Sequence, residues 1–255
     1  MSPRERISST IRTAAAAGEP ALVGYLTAGF PSRERFREHL RAIAHAADVI
    51  EVGVPFTDPM ADGVTIQRAS LAALAQGVSL GWILEELSAF DGLSTPILLM
   101  SYLNPLLAFG IERLARSAAD AGISGFIVPD LPLDESSGLR SVLDERQLAL
   151  VQMVTPVTEV QRLGQLCAAS QGFVYAVTMT GTTGRNVAVP SAVLDYLDRV
   201  RAIAALPVCA GFGIRSREQV ARLRGHVDGV VVGSALVEVL ERGEDVGAFL
   251  RGLRP

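Results

Sequence analysis

Short apolar runs recur along the chain, beginning near Ala21, Asp48, Pro96, Gly125, Leu148, Phe173, Pro207 and Asp228. Runs such as Pro96-Ile97-Leu98-Leu99-Met100 and Gly229-Val230-Val231-Val232 lack polar alternation, the pattern of parallel strands covered on both faces. Between the runs the period lengthens. Phe36, Leu40, Ile43, Ala44 and Ala47 recur at helical spacing, as do Ile111, Leu114, Ala115 and Ala118. Ser216 with Gln219 predicts a capping box opening a further helix, and Gly122 and Gly225 predict helix stops. Eight strands alternating with helices through right-handed crossovers predict an α/β fold, a (β/α)8 TIM barrel. The expectation is one domain over residues 1–255, with an extra helix before the first strand. A doubly wound sheet would want a Gly-x-Gly-x-x-Gly turn after strand 1, and Leu26-Thr27-Ala28-Gly29-Phe30 lacks it.

Two connections are longer than the rest. About fifty residues follow strand 2 and carry Pro55 to Gly63, and a second long connection after strand 6 carries Thr178 to Gly184. Both are expected as loops at the C-terminal face, where barrels place their active sites.

Composition narrows the chemistry. Hydrophobic residues make up 49% of the chain, yet its apolar runs fall short of the roughly 18 residues of a membrane span. Residues 1–18 hold arginines and an alanine run but no apolar core of a signal peptide, so a cytoplasmic location is expected. A net charge of −4 without a basic stripe argues against nucleic acid. Cys167 and Cys209 read as small buried hydrophobes rather than a disulfide. His39, His45 and His226 are scattered without metal-ligand spacing and read as helix-surface residues, so no metal is expected. The chain has no lysine, all 23 basic residues being arginine. No Schiff base can therefore form with a substrate carbonyl or with pyridoxal phosphate, and aldol-type chemistry must run on carboxylates.

Two carboxylates stand out. Glu51 ends the apolar run Asp48-Val49-Ile50-Glu51-Val52 and is expected at the barrel mouth, either in a salt bridge or as an acid–base group with a raised pKa. Asp62 lies on the long loop beside it, as a turn residue, as the N-cap of a helix near Thr65, or as chemistry. Gly211-Phe212-Gly213 after strand 7 and Gly233-Ser234 after strand 8 are either tight turns or a main-chain phosphate site, with Gly184 able to add an N–H and Ser234 able to cap its helix. Tyr25, Tyr102, Tyr175 and Phe212 are placed at the ends of strands 1, 3, 6 and 7, as core or as the lining of a flat apolar pocket.

At these residues the chain resembles a known family. Ile50 to Gly63 (IEVGVPFTDPMADG), running on to Thr65-Ile66-Gln67, resembles the signature of the tryptophan synthase alpha subunit. The similarity continues in Tyr25 to Gly29, Met100 to Asn104, Val128 to Pro132, Gly181 to Gly184, Gly211 to Gly213 and Gly233-Ser234, nearly the whole chain. The resemblance implies retro-aldol cleavage of indole-3-glycerol phosphate to indole and glyceraldehyde 3-phosphate. It implies a beta-subunit partner in an alpha2beta2 heterotetramer, with pyridoxal phosphate on that partner and no cofactor in this chain. It implies Glu51 and Asp62 as the catalytic carboxylates with Tyr175 beside them, and Thr183 in loop closure. Gly184, Gly211, Phe212, Gly213, Gly233 and Ser234 match phosphate-binding positions. Tyr25, Met100, Ile127 and Met153 match the indole pocket, to which the aromatic reading adds Tyr102. Asp58, Pro59, Asn104 and Asp130 match positions facing the beta subunit. The chain departs from the family pattern at Thr57, Val64 and Thr182. A stand-alone lyase, a phosphate-binding barrel isomerase and a catalytically silent barrel are the alternatives.

Overall fold

The structure, a computed structural model, describes residues 1–90, 92–178, 189–211 and 213–255. Eight parallel strands close a barrel in chain order: β1 (Ala21–Thr27), β2 (Val49–Gly53), β3 (Ile97–Met100), β4 (Gly125–Ile127), β5 (Ala149–Val154), β6 (Val174–Val177), β7 (Val208–Gly211) and β8 (Gly229–Val232). Each starts at, or one residue after, the position the apolar runs predict. Around them lie α1 (Pro3–Ala16), α2 (Phe36–Ala44), α3 (Val64–Ala75), α4 (Leu80–Ser88), α5 (Leu103–Phe109) and α6 (Ile111–Asp120). The second half carries α7 (Ser137–Asp144), α8 (Val160–Ala169), α9 (Ser191–Ile203), α10 (Arg217–Leu223), α11 (Ser234–Glu241) and α12 (Val246–Leu253).

The register fixes which side chains enter the barrel. A side chain at Gly24 would strike Ile43 of α2, its Cβ only 2.8 Å away, so Gly24 faces the helices and its neighbours Val23 and Tyr25 face inward. Pairing carries that face from Tyr25 to Glu51, Leu98, Gly125 and Ala149, and from Met153 to Tyr175, Cys209 and Gly229. The circuit closes only by stepping along the strands from Ala149 to Met153, from Ala21 to Val23 and from Val49 to Glu51. That stagger matches the shear of about 8 that closes a barrel of this class.

The N-terminal end is sealed by α1. Its capping box joins Ser2 and Glu5, and Ile7 and Ile11 are fully buried beneath the barrel. The stripe Leu114, Ala115 and Ala118 is the buried face of α6, and α10 opens on the predicted Ser216–Gln219 capping box. Gly122 and Gly225 take the positive φ of helix stops, +71° and +88°. Cys167 and Cys209 are buried and unpaired.

Three expectations need correction. Glu51 falls in the middle of β2 rather than at the end of the strand. His39 is not on the surface: it is 5% exposed on the inner face of α2, with Nε2 unpartnered, and burial lowers its pKa. Tyr25 and Tyr175 lie within β1 and β6 rather than at their ends.

Candidate active site

Glu51 is the middle residue of β2 and is 1% exposed. Apolar neighbours along the strand hold it in the sheet, and the register turns its carboxyl inward. Among the described residues no arginine forms an ion pair with it, and its Oε2 is buried without a hydrogen-bond partner. Loss of water, with the charge of Asp62 as a second cause, pushes its pKa up to about 8.

Asp62 sits at the end of the loop Val54 to Gly63. It does not cap α3, whose N-cap is Gly63, so its carboxyl is left for other work. Its carbonyl instead accepts from Gln67 Nε2 at 2.8 Å, which pins the loop to the first turn of α3. The neighbouring Ala61 N–H donates to Tyr102 Oη at 2.8 Å. Partial burial raises the Asp62 pKa to about 6, with a hydrogen bond to Tyr102 pulling the other way. Burial raises the phenols of Tyr25 and Tyr175 most, and the charges of Asp62 and Glu51 add to the rise in both, so the structure gathers all four groups in one mouth. Tyr102, raised to about 12 by burial and by Asp62, stacks on Phe56 with ring centroids 5.4 Å apart.

Two glycines make room for the tyrosines. A Cβ on Gly53 would lie 2.6 Å from Tyr25 Cζ, and a Cβ on Gly211 would lie 2.6 Å from Tyr175 Cζ. Each ring thus lies flat over the glycine of the next strand, Tyr25 over β2 and Tyr175 over β7. Tyr25 Oη also meets Thr27 Oγ1 at 3.2 Å. Met100 and Ile127 are buried at the ends of β3 and β4, on the same inward face. Met153 is half-buried and lines a cavity of about 290 Å³ together with Asp130.

Across the mouth the lining changes from side chains to backbone. Gly213 takes φ +90°, a conformation that favours glycine, just past the end of β7. Gly233 is the N-cap of α11, and Ser234 is its first residue and makes no capping bond, against the expected cap. Leu236 and Val237 N–H donate to Gly233 O at 2.8 and 3.1 Å, which leaves the Ser234 and Ala235 N–H groups at the open end of α11, where a helix N-terminus can meet an anion. Phe212, Thr183 and Gly184 lie outside the described residues. Among the described residues no group of three His, Cys, Asp or Glu side chains is placed to hold a metal.

The positions assigned to a partner cluster on this face too. Asp58 and Asn104 are exposed and Pro59 is half-exposed, and Asp130 Oδ1 accepts from Leu103 N–H at 2.9 Å. That bond and the Ala61–Tyr102 bond stitch the β2, β3 and β4 loops together. Sequence reasoning missed Gly53 and the Arg215–Glu238–Thr65 contacts between the loops. The glycine inside the Ile50-Glu51-Val52-Gly53 strand was a usable signal; the contacts had none, because they join distant segments.

Comparison with known proteins agrees across the chain. The tryptophan synthase alpha chain family profile matches residues 11–248. A tryptophan synthase alpha chain of Nitratidesulfovibrio vulgaris is 46% identical over 248 residues, covering 96% of each chain. One of Xanthomonas axonopodis pv. citri is 44% identical, covering 98% of this chain and 97% of its own. Among solved structures, Mycobacterium tuberculosis tryptophan synthase superposes with a TM-score of 0.90 at 36% identity, over 97% of this chain and 96% of that one. The alpha subunit from Legionella pneumophila gives 0.88 at 31% identity, over 97% and 96%. The chain belongs to the tryptophan synthase alpha chain family and is a lyase acting on indole-3-glycerol phosphate in tryptophan biosynthesis.

Proposed function

We propose that residues 1–255 work as one barrel domain in which Glu51 and Asp62 split the carbon–carbon bond between the indole ring and the glycerol phosphate. The observation that carries the assignment is the buried carboxyl of Glu51, its Oε2 unpartnered and its pKa at about 8, beside an Asp62 at about 6. Those values divide the labour. Near pH 7 Glu51 holds a proton and Asp62 does not.

Indole leaves poorly until C3 carries a proton, because the ring would otherwise depart as a carbanion. Glu51 delivers its proton to C3, giving an indoleninium with an acidic ring N–H. Asp62 accepts that hydrogen bond and stabilises the positive charge. The carbon–carbon bond then breaks with its electrons returning to the ring, and the Glu51 carboxylate takes the proton of the glycerol hydroxyl that becomes the aldehyde. Glu51 ends protonated, as it began. Tyr25, Met100, Tyr102, Ile127 and Met153 form the flat apolar wall for indole, with Tyr175 against the carboxylates. Gly211, Gly213, Gly233 and Ser234, with Gly184 and Phe212, hold the phosphate through main-chain N–H groups, and Thr183 serves loop closure. Acid–base catalysis supplies about 10²- to 10⁴-fold. Orientation by the anchored phosphate supplies much of the remainder.

The partner is a tryptophan synthase beta subunit, in an alpha2beta2 assembly, docked over Asp58, Pro59, Asn104 and Asp130. Met60 (84% exposed), Val64 (76%) and Leu107 (54%) place apolar surface in solvent beside those residues, which supports an interface there. Pyridoxal phosphate belongs on that partner, because this chain has no lysine to anchor it. No helix among the described residues is long and apolar enough to cross a membrane.

Purified protein incubated with indole-3-glycerol phosphate, with and without a beta subunit, tests the reading by indole release. Release that rises with the beta subunit is the expected result. Equal release without it would make the chain a stand-alone lyase, and no release in either arm would end the assignment.

A further inference from the structure

Both phosphate loops and the Asp62 loop meet at one carboxylate. Arg215, two residues past Gly213, forms a forked ion pair with Glu238 of α11, Nη1 to Oε2 at 2.7 Å and Nη2 to Oε1 at 2.9 Å. Glu238 lies one helical turn beyond Ser234. Its Oε1 also accepts from Thr65 Oγ1 at 3.4 Å, in the first turn of α3, three residues beyond Asp62. The backbone at Arg215 is fixed in turn, its N–H donating to Gln219 Oε1 at 2.7 Å. A second pair, Arg68–Glu241 at 2.6 Å, joins α3 to α11 further along, and a Cβ on Gly233 would touch Ile66 of α3 at 3.8 Å. The guanidinium holds the Glu238 carboxyl below the usual carboxylate range.

A planar, two-bond fork fixes orientation as well as distance, which a single point contact does not. The pair is about one-third exposed on each side, so its worth to global stability is small. Its geometric reach is larger. Among the described residues Arg215 is a cation close in sequence to the expected phosphate positions, and its fork is already filled by a carboxylate. That leaves main-chain amides to hold the anion and gives the side chain a different task.

We propose that Arg215 and Glu238 are positioning residues that hold the phosphate cradle in register with the Asp62 loop, through Thr65 and α3. Anchoring the phosphate then helps place Asp62 on the indole N–H. The proposal rests on the assigned acid–base reaction, and its test is separable from that assignment.

The test compares indole-3-glycerol phosphate with its dephosphorylated counterpart, indoleglycerol, in Arg215→Ala, Glu238→Gln and the double variant. For the phosphorylated substrate, kcat/KM falls on the order of tenfold in each single variant, less than the roughly 10²-fold of an ångström-scale misplacement. The double variant falls no further, because the pair acts as a unit. Without the phosphate the variants match the parent within about twofold, since no anchor remains to be coupled. Titration with inorganic phosphate reads the cradle alone, without catalysis, and shows weaker binding in every variant. Glu238→Gln keeps the shape of the side chain and guards against misfolding of the alanine variant. Equal slowing of both substrates would make the pair merely structural. Tighter phosphate binding in Glu238→Gln would make Arg215 a direct ligand freed by the change. Either result overturns the proposal. A parent protein that releases no indole from either substrate ends the acid–base assignment instead, and phosphate titration still judges the pair.

Discussion

Two carboxylates three residues apart on the β2 segment live in opposite conditions. Asp48 precedes the strand at the N-terminal end of the barrel, where its Oδ2 accepts from Leu22 N–H at 2.7 Å and from Arg254 Nη2 at 3.0 Å. Asp228 repeats the arrangement before β8, accepting from Val208 N–H at 2.8 Å and from Arg201 Nη2 at 3.2 Å. Glu51, at the other end, has an oxygen with no partner at all. The N-terminal end spends its carboxylates tying strands together, and the C-terminal end keeps one deprived of water, with one oxygen unpartnered. Unmet hydrogen-bonding capacity in a buried acid destabilises the charged form, and that is what readies it to give and take a proton at neutral pH.

Removing the acid at the active end has the largest expected effect. Glu51→Gln lowers kcat for indole release by 10²-fold or more, roughly the range of lost acid–base catalysis, while substrate binding persists. In the parent, activity rises as Asp62 ionises near pH 6 and falls as Glu51 loses its proton near pH 8, values that belong to the coupled pair. Stability moves as well. The native state binds the Glu51 proton more tightly than the unfolded chain, whose glutamate titrates near the ordinary 4.5. The parent therefore loses stability as pH rises from about 4.5 to about 8, and the loss is complete above that window. The glutamine variant lacks this slope and is the more stable of the two at pH 8. Thermal melts of both proteins from pH 5 to 9 check it. A variant less stable than its parent at pH 8 would mean that Glu51 has a native partner after all.

The opposite end responds in the opposite way. Asp48→Ala strips the acceptor from a strand N–H and from Arg254, a charged hydrogen-bond network whose loss costs roughly 2–4 kcal/mol. For a chain of this size that lowers Tm by several degrees. Turnover by the folded fraction stays within about twofold, since Asp48 touches none of the reacting groups. A variant with unchanged Tm and lost activity would erase the division between the two ends.

How much of this the chain itself discloses depends on the range of each interaction. Strand starts were legible to within a residue because buried parallel strands are continuous apolar runs. Of α3 only the start near Thr65 is legible, because the helix carries apolar residues outward, Val64 and Leu71 both standing in solvent, so no clean one-sided stripe marks its length. His39 was misplaced because a buried imidazole on a helix leaves no local trace. Glu51 was legible because a charge inside an apolar strand violates the local pattern. The absent N-cap role of Asp62 and the fit of Tyr175 over Gly211 were not, since both depend on backbone geometry that spacing does not encode.

The smallest expected effect isolates one bond of the active end. Tyr102 Oη accepts the Ala61 N–H and hydrogen-bonds Asp62, joining the β3 end to the loop that carries the second carboxylate. Tyr102→Phe keeps the ring, its stacking on Phe56 and its burial, and removes only the hydroxyl. The Ala61 N–H lies on a part-buried loop and regains water, so stability falls by about 1 kcal/mol or less. Asp62 loses a contact that lowers its pKa, so the acid limb of the pH–rate profile moves upward and kcat drops severalfold. KM should change less than kcat, because the loop's placement and not the pocket's shape is altered. An acid limb that stays in place would show that Tyr102 supports the loop without tuning the acid, and that the polarised condition of the active end is set by burial alone.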